Sequence, residues 1–288
     1  MSPSRTRPRS RGAAPPAGSR ALPRTAGSHA LPRTAVLAAL LALAPLAGAT
    51  PAQAQGLSLN EAREMLNAES ADEVRMGIEA LGTIGSARIV EPLAERIRRG
   101  LPAPLLDLAI ETLGLTGRRE AGPILFELAR HRRATARQRA LEALVSCRPR
   151  GASRALVQAL SDADPRVRAT AALGLGQLEA ADAVDPLFHA FDRGVNEAST
   201  SLGQLVDADG VERLLGFLGQ RPLNSLTPAL DEVLARDDMA TNVKLEVVGR
   251  LAELATPEVR TYLEGLAEAL PPGPLADAAE QAALRIVQ

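Results

Sequence analysis

The stretch Asp164-Pro165-Arg166-Val167-Arg168-Ala169-Thr170-Ala171-Ala172-Leu173-Gly174, closing on Leu178, decides how this chain folds. Weaker copies of it stand elsewhere: Asp72-Glu73-Val74-Arg75 with Ala80-Leu81-Gly82, and Val243-Lys244 with Gly249, Leu251 and Leu254. A repeating unit of about thirty residues cannot close a hydrophobic core alone, so copies stack and bury a continuous core between them. The chain is therefore a scaffold first.

Working outward from that stretch, short breaks divide the chain into helical segments that pair. Ser58-Leu59-Asn60-Glu61 has the form of a capping box and announces the first helix. The spacing predicts helix pairs at 59–68 and 72–84, 87–99 and 103–115, 120–131 and 135–146, 151–160 and 165–178, and 182–192 and 195–206. Equivalent leucines in the second helices are read as Leu81, Leu113, Leu144, Leu173 and Leu202, with spacings of 32, 31, 29 and 29. Beyond residue 206, helices are expected near 209–219, 225–236, 241–254, 257–270 and 276–287. Which of these is first or second in its pair stays open, because the segment from 241 matches a second helix only if the spacing stretches. Arg221-Pro222 and Pro271-Pro272-Gly273-Pro274 mark loops.

Composition agrees. Hydrophobic residues make up 46% of the chain but aromatics only 2%, and Trp is absent, so the core is Ala, Leu and Val. Such residues suit close helix–helix packing, and no segment alternates with strand period. The fold class is all-α: an α-α superhelix of about six to seven helix pairs over 55–288.

The formal net charge of −1 hides an asymmetry. Residues 88–168 hold sixteen Arg against nine acids, while residues 169–288 hold eight bases against nineteen acids. Laid out along a solenoid, that difference predicts a basic first half and an acidic second half. The alternative is a drift in the composition of solvated helix faces.

Residues 1–33 form an extension rich in Arg, Pro and Ser, with no composition for a packed core. Residues 34–54 read as an export signal: Arg33 precedes the apolar run Ala35–Ala44, and Ala47-Gly48-Ala49 and Ala52-Gln53-Ala54 offer small-residue cleavage sites. The run is too short, and too interrupted by Pro45, to span a bilayer comfortably, so no stable membrane insertion is expected after processing. Cleavage after Ala54 or Ala49 places the mature chain in the periplasm or outside the cell. A cytosolic chain with an Ala-rich arm is the alternative.

The quoted motif resembles the HEAT-like repeats, in particular the short bacterial type also found in phycobilin lyases. The resemblance covers roughly 57–288 and is best at 161–192. It implies that Asp72 and Asp164 cap second helices, and that Val74, Val167, Leu81 and Leu173 lie on the buried stripe. It also implies that Gly174 lets a neighbouring helix approach, and that Arg75 and Arg168 bridge to an Asp of an adjoining repeat. Repeats two, three and five lack the Asp-x-Val-Arg signature, so an Asp–Arg ladder is expected to be interrupted. All of these are read as structural residues.

Catalytic chemistry has little material: three His, one Cys and one Tyr. His131 lies in Arg130-His131-Arg132-Arg133, which suits a solvated helix end with a lowered pKa. His189 sits among apolar neighbours and reads as a packing histidine. The iron-binding hydroxylases of the HEAT class use His-Glu pairs, which this chain lacks. Cys147 reads as a small apolar packing residue, with an exposed, Arg-activated thiol as the alternative. No cofactor or metal is expected, and no enzymatic activity. Nucleic acid is a poor fit, since aromatics for base stacking are missing.

The expectation is an exported, non-enzymatic scaffold that binds a protein or peptide through the groove lined by second helices. Arg130, Arg132, Arg133, Arg137 and Arg139 form a candidate basic patch for an acidic partner, the acidic C-terminal portion would meet a basic one, and self-association would use both. The alternative implied by the resemblance is a lyase-type or chaperone subunit acting on a chromophore-bearing protein.

Overall fold

The computed structural model describes residues 57–286. The expected extension at 1–33, the export signal at 34–54 and its cleavage sites lie outside the described residues. Among the described residues fifteen α-helices follow one another, and no β-strand is present beyond one isolated bridge between Leu218 and Arg221.

Six regular pairs come first. They are α1 (Leu59–Leu66) with α2 (Ala71–Ile84), α3 (Val90–Arg99) with α4 (Ala103–Leu115), and α5 (Gly122–Leu128) with α6 (Ala134–Cys147). Next are α7 (Ala152–Ala159) with α8 (Pro165–Gln177), α9 (Val184–Asp192) with α10 (Ala198–Leu205), and α11 (Ala208–Leu215) with α12 (Leu223–Ala235). Then follow α13 (Thr241–Glu253), α14 (Pro257–Ala269) and α15 (Pro274–Arg285). The pairing left open by the sequence is thereby resolved: α13 continues the first-helix layer beside α11, α14 follows α12, and α15 closes the stack.

Local chemistry explains the helix starts. The Ser58–Glu61 capping box forms, with the Ser58 amide 2.8 Å from Glu61 Oε2 and the Glu61 amide 3.3 Å from Ser58 Oγ. Three first helices carry Pro in their opening turn, at Pro92, Pro123 and Pro186. Proline has no amide to donate, so it is tolerated there. Each of these helices is preceded by a single 3₁₀ turn, at Ala87–Ile89, Arg119–Ala121 and Ala181–Ala183.

The core runs along the whole stack. The second helices α2, α4, α6, α8, α10 and α12 lie directly against one another, while successive first helices stand further apart. Closer spacing in one layer bends the stack toward that layer, so the second helices line its inner side. Small residues make the approach possible. A Cβ on Gly203 would sit 2.4 Å from the Ala229 carbonyl oxygen, and one on Gly114 would sit 3.1 Å from Ala143 Cβ.

These glycines also correct the leucine register. Leu81-Gly82, Leu113-Gly114 and Leu202-Gly203 align with Leu175-Gly176, not with Leu173-Gly174. Leu175 is fully buried, as are Leu81, Leu113, Leu144 and Leu202, whereas Leu173 is 39% exposed. The reason is angular: two residues are about 200° of helix, which turns Leu173 from the core to the outer surface. Gly174 is itself buried and packs against Leu156 and Val145.

Beyond α12 the pattern changes. The close backbone approach passes to α13 and α15, while α12 and α14 stand apart. The inward bend of the first six repeats is not carried through this end.

Candidate protein-binding face

Counting from the buried leucine of each second helix, or from the buried Val233 on α12, locates its outer surface. Two residues earlier stand Glu79, Glu111, Glu142, Leu173, Thr200 and Asp231 on α2 to α12 in turn, and all but the half-buried Thr200 are exposed. Two residues later stand Thr83, Leu115, Ser146, Gln177, Gln204 and Ala235, all exposed. Met76 and Arg139 lie five residues before their leucines. The face is therefore an inner surface of mixed character, with three large apolar side chains open to solvent: Met76 at 48%, Leu115 at 81% and Leu173.

Its charge departs from the expected distribution. In repeats two and three, within the stretch 88–168 that is basic by composition, the outermost row is glutamate. Arg139 reaches Glu111 at 3.6 Å, and the Gln138 amide donates to Glu142 at 3.1 Å. Several arginines are instead engaged at helix ends, where last-turn carbonyls lack partners. Arg96 donates to the Leu66 carbonyl at the end of α1 at 2.9 Å, and Arg148 to the Gln177 carbonyl at the end of α8 at 2.6 Å. Arg236 donates to Val206 beyond α10 at 2.6 Å. Each of these contacts joins one repeat to the next.

The five arginines read as a basic patch are divided by the same principle. Arg133 pairs with Asp107 at 3.1 Å, and Arg139 with Glu111. Arg137 forks onto both oxygens of Asp162, at 2.6 and 2.7 Å, and also donates to the His131 carbonyl at 2.9 Å. Arg130 and Arg132 are exposed on the turn between α5 and α6. The Arg137 fork holds the Asp162 carboxyl below its ordinary pKa, helped by the Asp164 amide at 2.9 Å.

Against known proteins, residues 123–202 match the family model described as HEAT repeats. Residues 123–202 are thus HEAT repeats, and helix pairs of like build flank them on both sides. The complex of CpcE and CpcF of phycocyanin lyase from Nostoc sp. PCC7120 is similar at 19% identity and a TM-score of 0.45, covering 84% of this chain and 100% of that one. Human deoxyhypusine hydroxylase in complex with glycerol gives 18%, 0.40, 79% and 95%. A designed armadillo repeat protein in complex with peptide (KR)4 gives 17%, 0.36, 80% and 99%. No curated protein matches the chain in sequence.

The residues implied by the HEAT-like motif fall as follows. Asp164 caps α8, accepting from the Arg166 amide at 2.9 Å, and that contact lowers its pKa. Asp72 does not cap: it is the second residue of α2, whose cap position is Ser70. It stands two residues before its valine where Asp164 stands three before, so the helix has already begun. Its carboxylate still lies in a first turn, where negative charge is favoured. Val74 and Val167 are buried as expected. Arg168 turns back to the carbonyls of Asp162 and Ala163, at 2.8 and 3.1 Å, within its own repeat. Arg75 is exposed on α2. The rung to an adjoining Asp is formed by Arg137, the Arg168 equivalent in repeat three. The signature is broken there because Arg133 stands at the Asp position and Ala136 at the valine; only the Arg remains of it.

Cys147 is buried, with Sγ 3.4 Å from the Leu113 carbonyl, and burial pushes its thiol pKa up. His131 is half-buried and accepts from the Arg133 amide at 3.1 Å; desolvation, then Arg132 and Arg133, lower its pKa. His189 departs from its expected packing role: it is exposed, and its ring bonds the Asp185 carbonyl one turn back at 2.9 Å. Among the described residues no group of three or more His, Cys, Asp or Glu is placed to hold a metal ion, and no helix is long and apolar enough to cross a membrane.

Proposed function

We propose that this protein is an exported, non-enzymatic HEAT-repeat scaffold that binds a protein or peptide along the inner face of its second helices. One observation carries the reading: Met76, Leu115 and Leu173 point outward from second helices whose other sides are fully buried. Leucine and methionine on a continuous curved surface, spaced by polar side chains, suit many shallow contacts better than one deep pocket. The committed arginines move the electrostatic expectation. An acidic partner would meet Arg130 and Arg132 at the α5–α6 turn, while the face itself offers Glu79, Glu142 and Asp231 to basic groups.

The test is a photo-crosslinking residue at position 115 or 173 in the full chain, expressed in intact cells and followed by fractionation and mass spectrometry. The expected result is one recurring partner, crosslinked outside the cytoplasm, lost on adding Leu115→Asp with Leu173→Asp. Capture weakens as salt rises if rim charges steer binding. Recovery of the chain alone, or turnover of any small molecule by the purified protein, overturns the reading.

A further inference from the structure

The gap between α12 and α14 is a groove of about 630 Å³. It exists because close packing leaves the second-helix layer at this point. Its walls include Leu218, Leu223 and Leu254, each half-buried, and the buried Val259. Tyr262 stands in the lining and donates to Asp231 across the gap at 2.8 Å, a contact that joins α14 to α12. Burial and the neighbouring carboxylate keep that phenol protonated well above its ordinary range.

The charge of the groove is one-sided. Glu258 lines it from the first turn of α14, and Asp231 lies beside it under the Tyr262 hydroxyl. Arg221, the cation among its lining residues, is turned away. It donates to the Asp192 carbonyl and lies 5.0 Å over the Phe191 ring. A third feature concerns hydrogen bonding: α12 begins after Pro222 with no side-chain cap on its first amides. The groove thus offers apolar walls, negative charge and backbone donors together, which is the complement of a peptide and not of a hydrocarbon or an anion.

We propose that this groove is the anchor point for a short segment of a protein partner carrying one leucine-sized side chain beside a Lys or Arg. The apolar side chain fills the space between Leu223 and Leu254. The cation pairs with Glu258 and Asp231, and a carbonyl of the segment accepts from the opening turn of α12. The size lies within the range usual for small binding sites. This rests on the partner-binding reading above and adds to it a place and a chemistry.

The probe is acetyl-Gly-Leu-Arg-Gly-amide, titrated to millimolar concentration into the full ¹⁵N-labelled chain, with acetyl-Gly-Leu-Glu-Gly-amide as its counterpart. Saturable shifts confined to 218–231 and 254–262 are expected for the first peptide, and binding about tenfold weaker for the second. Thr227→Trp fills the groove and should abolish the shifts. The exposed Glu258→Arg leaves the core untouched and should reverse the preference between the peptides. No shifts at the groove, equal binding of both peptides, or binding unchanged by Thr227→Trp overturns the proposal. The two readings fail separately. If position 115 still crosslinks a partner while the peptide does not bind, the groove proposal alone falls; if the peptide binds and nothing crosslinks at 115 or 173, the extended-face reading falls.

Discussion

In the first six repeats the second helices press together and the first helices stand apart; at α13 to α15 the roles exchange. The difference lies in the residues. Where α10 meets α12, Gly203 has no side chain to hold the Ala229 carbonyl away, and the buried Ser199 hydroxyl accepts from the Ala229 amide at 3.1 Å. On α14 the corresponding depth is held by Tyr262, which keeps α12 at the length of a hydrogen-bonded phenol. The motif therefore follows closeness of packing and not odd or even position. That is why the segment from 243 carries a second-helix pattern although it lies in the first-helix layer. Its Val247, Val248 and Leu251 are buried in the tight stack.

The largest expected effect breaks the close half. Gly203→Ala places a methyl group against backbone that cannot rotate away, and overpacking of this kind costs about 1–3 kcal/mol. Urea unfolding should put this variant at the upper end of that range. A loss below the resolution of the method would mean that α10 and α12 do not approach as described.

Next comes the rung between repeats three and four. Arg137→Met removes two charge-assisted hydrogen bonds to Asp162 and one to the His131 carbonyl, a loss on the order of 2 kcal/mol. The pH dependence has a definite sign. The folded-state pKa of Asp162 is depressed, so its contribution is present above the unfolded value of about 4 and disappears as pH falls through the lower folded value. The stability difference between wild type and Arg137→Met should be full at neutral pH and shrink as pH falls through that window. A difference that stays constant into acid would show that the Asp162 carboxylate is not the partner that matters.

Fold class and helix boundaries were legible because they depend on local rules: apolar spacing, the Ser58–Glu61 box, and Pro after Asp164. The leucine column failed in one repeat because Leu173-Gly174 and Leu175-Gly176 are adjacent look-alikes, and only burial separates them. The basic patch was legible as composition but not as surface. Whether an arginine faces solvent or a neighbouring carbonyl depends on what lies thirty residues away, and no local rule supplies that. The groove at Tyr262 was invisible for the same reason: its existence depends on a gap between helices, not on any motif.

A gain should mark the open end. Gly249 lies inside α13, and no neighbour stands within 4 Å of where a Cβ would be. Gly249→Ala should therefore stabilise by roughly 0.5–1 kcal/mol, since alanine loses less backbone entropy and meets no neighbour. Opposite signs for alanine at 203 and at 249 are the sharpest form of the contrast between the two regions. Equal signs would erase it.

The smallest effect separates structural from available charge within the close half. Arg130 and Arg132 are exposed on the turn before α6, beside Arg133 and Arg137, whose side chains are held by Asp107 and Asp162. Replacing both by Gln should change stability by less than about 0.5 kcal/mol, as surface substitutions do. If the turn meets an acidic partner, the same double variant should lower partner capture at low salt and remove most of its salt dependence. A stability loss comparable with that of Arg137→Met would place these two arginines in the inter-repeat contacts as well, and remove this turn as a basic surface.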